Sequence, residues 1–210
     1  YGRYLRPAKD GLVASLEQWL PLTAAIPRVS NALTQSRPGR APLARLGLVA
    51  LPELSQVRLK SSLARRGVQV ASVAALNALS VSERRSHVVV VQDAFTSYYD
   101  SEVVLDFIEL LARLGFTPWI APFKPNGKPQ HVMGMLGRFE RTATANAQML
   151  SQLAATGVEL VGVDPSMTLA YRAEYVKALG REQVPHVALP QEWLATRLDE
   201  LPDLRGDEAN

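Results

Sequence analysis

The clearest alternation of hydrophobic and polar positions runs from His87 to Phe123, HVVVVQDAFTSYYDSEVVLDFIELLARLGFTPWIAPF. Val88 to Val91 are β-branched without interruption, the pattern of a strand buried on both faces. Polar and aromatic residues break the apolar run between Asp93 and Asp100. From Ser101 the period lengthens, and Val103, Val104, Phe107, Ile108, Leu111 and Leu114 recur at helical spacing. Asp100 suits an N-cap, Glu102 the positive helix start, and Gly115 the left-handed residue that ends it. Thr117 to Ala121, punctuated by Pro118 and Pro122, resume an extended pattern. This is a βαβ unit, and its connection is expected to be right-handed.

The alternation continues downstream. A Pro/Gly-rich loop, Phe123 to Pro129, leads into a helix predicted from about Gln130 to Ala155, with Val132, Leu136, Phe139, Ala143, Ala147, Leu150 and Leu153 on one stripe. Gly134 and Gly137 fall inside that pattern, where close packing would account for them. Gly157 ends the helix and Val158 to Val163 form a third strand. Asp164 and Pro165 open a helix through Leu179, Pro185 to Leu189 form a fourth strand, and Pro190 opens a last helix carrying Trp193, Leu194 and Leu198. The tail after Pro202 is polar and expected to fray. The prediction is an α/β fold of three layers: a mostly parallel four-stranded sheet with helices on both faces.

Upstream the pattern is less regular. Residues 5–34 predict two short helices, with Leu12, Leu16, Trp19 and Leu20 on one face and interruptions at Pro21 and Pro27. Ser36 to Pro42 has the composition of a linker, and Leu43 to Leu54 are apolar but divided by Gly47 and Pro52. Ser55 to Arg66 predicts a helix stopped at Gly67, and Ala71 to Leu79 a shorter one. Without a repeated core pattern, residues 1–85 are expected to be a helical connector or arm, and residues 86–210 the α/β domain.

Composition narrows the function. An apolar content of 47% excludes a wholly disordered chain, and no apolar run is long enough to cross a bilayer. Arg3, Arg6 and Lys9 with no apolar segment behind them do not make a signal peptide, and a start at Tyr1 fits a segment cut from a longer chain. The absence of cysteine removes disulfides, thiolate nucleophiles, Cys-ligated zinc and ordinary iron–sulfur ligation. His87, His131 and His186 show no metalloprotease spacing. Net charge is +3 but uneven: residues 1–85 hold 13 Lys/Arg against 4 Asp/Glu, and residues 86–210 hold 10 against 16. Either the arm lies on an acidic surface of its own or a neighbouring domain, or it meets nucleic acid or an anionic membrane. With no basic cluster interleaved with aromatics, nucleic acid is not expected.

In open parallel sheets ligands bind beyond the carboxyl ends of the strands. The loops there present Asp93, Thr96, Ser97, Tyr98, Asn126, Lys128, Asp164 and Ser166, with His131 just inside the next helix. Asp93 and Asp164 could ligate a hard cation, but capping a helix is what aspartate does most often. Lys128 and His131 could hold an anion, and Tyr98 could cover the sheet end. No GxGxxG or GxxxxGK[ST] motif is present, and Ser166 has no GxSxG context. By themselves these residues make no active site.

Three stretches carry a resemblance. Asp93-Ala-Phe-Thr-Ser-Tyr-Tyr-Asp-Ser-Glu102, Lys124-Pro-Asn-Gly-Lys-Pro-Gln-His131 and Val163-Asp-Pro-Ser-Met167 resemble the motif loops of cysteine-rich CCG domains, found in heterodisulfide reductases and in the iron–sulfur component of glycolate oxidase. The family's ligand cysteines fall on Asp93, Pro125, Asn126 and Met167, so the resemblance implies a vestigial cluster site with every ligand lost. Gly127, Pro165 and Ser166 match non-ligand positions. The match is closer to the first, degenerate CCG repeat of FAD-linked D-2-hydroxyacid dehydrogenases of the D-lactate or D-2-hydroxyglutarate type. There a flavin domain, a ferredoxin-like module and paired CCG repeats share one chain. The N-terminal RYLRPAKDGLVASLEQWLPL resembles the connector after the ferredoxin-like module.

The resemblance implies a non-catalytic scaffold, binding no cofactor or metal itself, in a parent that carries FAD and 4Fe-4S clusters. Its partners would be the neighbouring flavin, ferredoxin-like and second CCG modules. Its location would be cytoplasmic, or peripheral at the inner membrane. The alternatives are a stand-alone small-ligand-binding α/β module and a nucleic-acid-binding adaptor.

Overall fold

Val88 to Val91 lie at the centre of the sheet, where a continuous β-branched run belongs. The computed structural model describes residues 7–45 and 51–198; the first residues of the connector, the Gly47 interruption and the tail expected to fray lie outside them. In chain order the elements are α1 (Ala8–Ala14), α2 (Leu16–Thr23), α3 (Pro27–Gln35), α4 (Arg37–Arg45), α5 (Leu59–Arg65), α6 (Val73–Asn77), α7 (Val81–Ser86), β1 (His87–Val91), α8 (Ala94–Tyr98), α9 (Ser101–Arg113), β2 (Thr117–Ile120), α10 (Lys128–Val132), α11 (Leu136–Ala154), β3 (Glu159–Gly162), α12 (Pro165–Ala170), α13 (Val176–Leu179) and α14 (Pro190–Ala195). A π-type turn, Tyr171–Tyr175, joins α12 to α13.

The strands are parallel in the order β2-β1-β3. Among the described residues the sheet has three strands, not the four expected. Pro185 to Leu189 supplies one bridge, in which the Ala188 N–H donates to Leu160 at 2.9 Å and its carbonyl accepts from Gly162 at 3.0 Å. Pro185 and Pro190 bracket this stretch and have no N–H to extend the ladder. At the opposite edge Val70 bridges Ile120.

Helices cover both faces. On one side α6, α11 and the Tyr171–Tyr175 turn pack Leu76, Phe139, Ala143, Leu150, Tyr171 and Tyr175 on Val89, Val91 and Leu160. On the other, α5, α9 and α14 pack Leu59, Leu63, Val104, Ile108, Leu111 and Trp193 on Val88, Val90 and Val161. Residues 59–76, grouped with the arm in sequence, thus contribute to both cores. The preceding helices lie across the carboxyl end of the sheet, α1 on α10 and α2 on α8. There Leu16, Leu20, Leu54 and Ala94 form a third cluster with Trp19, Tyr98, Tyr99 and Phe123.

Several local expectations are corrected. Residues 7–35 form three helices rather than two. The predicted linker is helical: α4 starts at Arg37 and buries nothing, so no hydrophobic stripe announces it. The helix expected over 130–155 is broken, because Gly134 takes φ +65° and the Met135 N–H returns to the Gln130 carbonyl at 2.8 Å. A Cβ on Gly137 would meet nothing within 4 Å, so close packing does not explain that glycine. The helix expected from Ser55 begins at Leu59, and α7 is an addition, opened by a Ser80–Glu83 capping box.

Candidate functional site

The strand order puts its reversal between β1 and β3, the place where a ligand crevice opens in sheets of this kind. Asp93 and Asp164 lead the two loops that leave there, and both are helix caps. Asp93 is 3% exposed. Its Oδ1 accepts the Phe95 and Thr96 N–H groups at 2.7 and 3.0 Å, and its Oδ2 accepts the Thr96 hydroxyl at 2.5 Å. Asp164 Oδ1 accepts the Met167 N–H at 2.7 Å. Burial raises the Asp93 carboxyl above its ordinary value; the Thr96 hydroxyl and N–H pull it back, and the charge of Asp164 adds to the rise.

The loop after β2 delivers Asn126. Its Nδ2 donates to Met167 Sδ at 3.0 Å and its Oδ1 accepts the Lys128 N–H at 2.9 Å. The Tyr175 hydroxyl donates to the Asn126 carbonyl at 2.6 Å and accepts from Asn146 Nδ2 at 3.1 Å. Asn126 and Met167 are thus in direct contact, and Pro125, half-buried, precedes them.

The residue that sequence reasoning missed is Glu17, which is 1% exposed. From the first turn of α2 it reaches into the same place. Its Oε1 accepts the Asn126 N–H at 3.0 Å and its Oε2 accepts the Gly127 N–H at 2.8 Å. Gly127 presents its N–H from φ +81°, and a Cβ there would stand 3.0 Å from Phe139 Cδ2. A signal for Glu17 existed: it sits among Ala14, Leu16 and Leu20, which α1 and α2 bury, so an acid interrupts an apolar face. Burial raises the Glu17 carboxyl, the N–H groups of Asn126 and Gly127 oppose the rise, and Asp93 adds to it. Tyr171 completes the group: burial raises its hydroxyl, a hydrogen bond with Asn146 opposes this, and Asp93 and Glu17 push further.

The donor set can be tested against the cluster that the resemblance suggests. Asp93 spends both oxygens on caps, Pro125 has no side-chain donor, and Asn126 and Met167 are bonded to each other. Among the described residues no His/Cys/Asp/Glu group could hold a metal ion. An iron–sulfur cluster or zinc does not fit these residues. What the arrangement does is close: a carboxylate from the arm ties two buried N–H groups of the α/β body.

The remaining candidates are spread out. Lys128 pairs with Glu174 at 2.6 Å, and His131 lies edge-on to Phe139 with ring centroids 4.9 Å apart. Tyr98 packs edge-on to Phe123 at 5.2 Å and lines, with Gln92, Ser97, Val57, Leu63 and Val70, a mainly apolar cavity of about 600 Å³. Ser166 is exposed.

The raised carboxyls set a pH dependence. A carboxyl whose folded pKa lies above its unfolded value contributes stability below the unfolded value, and that contribution is lost as pH rises through the folded one. For Glu17 and Asp93 the ordinary values are 4.5 and 3.8. Glu174 and Glu192 act oppositely, the latter lowered to about 2, chiefly by its hydrogen bond to Arg172. Their stabilisation is lost as pH falls, and it is common to wild type and a Glu17→Gln variant. Denaturant midpoints between about pH 4 and pH 8 are expected to fall more with rising pH in wild type than in Glu17→Gln. Parallel curves would show that the Glu17 carboxyl is not raised.

No protein-family profile matches the chain, and no solved structure matches it. Curated proteins do. The chain is 45% identical over 204 residues to the D-2-hydroxyglutarate dehydrogenase of Pseudomonas putida, 42% identical over 202 residues to that of Escherichia coli, and 44% identical over 200 residues to that of Pantoea ananatis. These alignments cover 97%, 95% and 94% of the chain. The chain nevertheless spans only 20% of the length of each of these relatives, so its likeness is to one segment of a dehydrogenase.

Proposed function

We propose that this chain is a non-catalytic scaffold segment of an FAD- and iron–sulfur-dependent D-2-hydroxyacid dehydrogenase, with D-2-hydroxyglutarate as the substrate class of the parent. The observation that carries the proposal is the likeness of nearly the whole chain to one fifth of the D-2-hydroxyglutarate dehydrogenases. The site supports a scaffold role, since each position corresponding to a cluster cysteine has no free donor or is consumed by contacts within the chain. In the parent, FAD would accept the hydride equivalent and the clusters would carry the electrons away, on other modules. This segment would hold those modules in place, as a degenerate CCG repeat from which the cluster has been lost.

The test uses the full-length polypeptide. It is expected to oxidise D-2-hydroxyglutarate with a dye acceptor and to show flavin and cluster absorbance. Met167→Leu, which removes the one sulfur at the vestigial site, is expected to leave iron per chain unchanged. A loss of iron in that variant would give Met167 a ligand role and overturn the scaffold assignment. Absence of turnover on D-2-hydroxy acids in the full-length protein would overturn the parentage.

A further inference from the structure

Two features of the arm have no use among the described residues of this chain. The first is charge. Residues 1–85 carry 13 Lys/Arg against 4 Asp/Glu, yet among the described residues the ion pairs Arg113–Glu109, Lys128–Glu174, Arg172–Glu192 and Arg197–Glu159 all lie in the body. Arg58 donates to the Ala25 carbonyl at 2.9 Å and Arg65 to the Ser62 hydroxyl at 3.1 Å, contacts with neutral groups that leave their charges uncompensated. Among the described residues, no ion pair joins a cation of the arm to the acidic body.

The second is an apolar face pointing outward. Ile26, Val29 and Leu33 fall on one side of α3 and are 54%, 52% and 64% exposed; Leu22, at the end of α2, is 75% exposed. Of the two residues that α3 buries, Pro27 and Asn31, the second is polar and satisfied: Asn31 Nδ2 donates to the Leu54 carbonyl at 2.8 Å, and Oδ1 accepts the Leu54 N–H at 2.8 Å. This inverts the usual surface helix, whose apolar stripe faces its own core. Beside the stripe an open groove of about 570 Å³ is lined in equal part by apolar groups, Ile26, Val29 and Val57 among them, and by polar ones, including Arg28, Arg58 and Arg65. An apolar patch rimmed by charge of one sign is the composition of an interface.

We propose that the face formed by α3 and α5 docks an acidic surface with an apolar centre, carried by another module of the same longer polypeptide. The proposal rests on the assignment of this chain as a segment of a larger enzyme. The chain spans 20% of the relatives it resembles, so four fifths of such a polypeptide would be tethered to it. Tethering gives an intramolecular partner an effective concentration of the order of millimolar, which a second free copy would not reach. The uncompensated arginines select an acidic partner and reject a basic one.

Hydroxyl-radical footprinting of the full-length polypeptide, read residue by residue by mass spectrometry, tests this. After correction for intrinsic reactivity, Leu22, Ile26, Val29 and Leu33 are expected to be oxidised several-fold more slowly than Val81 and Leu198, which are 78% and 65% exposed. The double variant Val29→Asp/Arg58→Glu should bring Leu22 and Leu33 up to the rate of those controls. Oxidation of the wild-type stripe as fast as the controls, in a polypeptide that still turns over D-2-hydroxyglutarate, would overturn the docking face and leave the parentage intact. Protection that disappears on dilution, together with a dimer-to-monomer change in light scattering, would make a second copy the occupant and overturn the proposal. A native polypeptide of the mass of these 210 residues alone would remove the parentage, and the tethered partner with it.

Discussion

Glu17→Ala is expected to destabilise the folded chain by about 2–5 kcal/mol, the cost of stranding two buried donors that a carboxylate had satisfied. The donors are the Asn126 and Gly127 N–H groups, and among the described residues Glu17 is the group that accepts from them. Part of the carboxylate's own contribution is offset in wild type, because burial and the nearby Asp93 charge oppose its ionisation. Glu17→Gln keeps one acceptor oxygen but turns an amide N–H₂ toward the second donor, so its loss should be smaller than that of the alanine variant. Because the carboxylate joins the arm to the body, hydrogen exchange should quicken in α1, α2 and the 123–127 loop before it does in β1. A Glu17→Ala midpoint equal to wild type would show that the contact does not hold the arm.

Gly127→Ala is expected to cost about 2–4 kcal/mol, combining a left-handed backbone with overpacking. Gly127 takes φ +81°, which an L-residue with a Cβ adopts at a penalty. Its added methyl group would also stand 3.0 Å from Phe139 Cδ2 and 3.4 Å from Thr142 Cβ, both on α11. Relief by shifting the loop would pull the Gly127 N–H off Glu17, so the two substitutions share a mechanism. The Glu17→Ala/Gly127→Ala double variant should therefore lose less than the sum of the single losses. Additive losses in denaturant melts would show that the glycine acts only through its own backbone.

The motif resemblance singles out three loops but has no means of finding the carboxylate that meets one of them. Correspondence to cysteines picks out Asp93, Asn126 and Met167, and the structure puts Asn126 on Met167 and Asp93 within electrostatic reach of Glu17. Glu17 lies more than a hundred residues from Asn126, and no periodicity relates the two positions. An acid on an apolar face announces a buried partner without naming it. The helix at Arg37–Arg45 escapes a sequence reading for a different reason: it buries no side chain, so it leaves no stripe to read.

What the sequence by itself determined is the layered α/β body. A β-branched run at Val88–Val91, a helical stripe from Val104 to Leu111 and Gly115 at φ +86° each carry their own local signal, and local signals survive without tertiary context. Tertiary structure alone decided the strand order, the reduction of Pro185–Leu189 to a single bridge, and the closing of the loop at Asn126 and Gly127 by Glu17. These depend on which distant segments meet, and a buried donor is satisfied by whichever carboxylate the fold brings to it, from any distance along the chain.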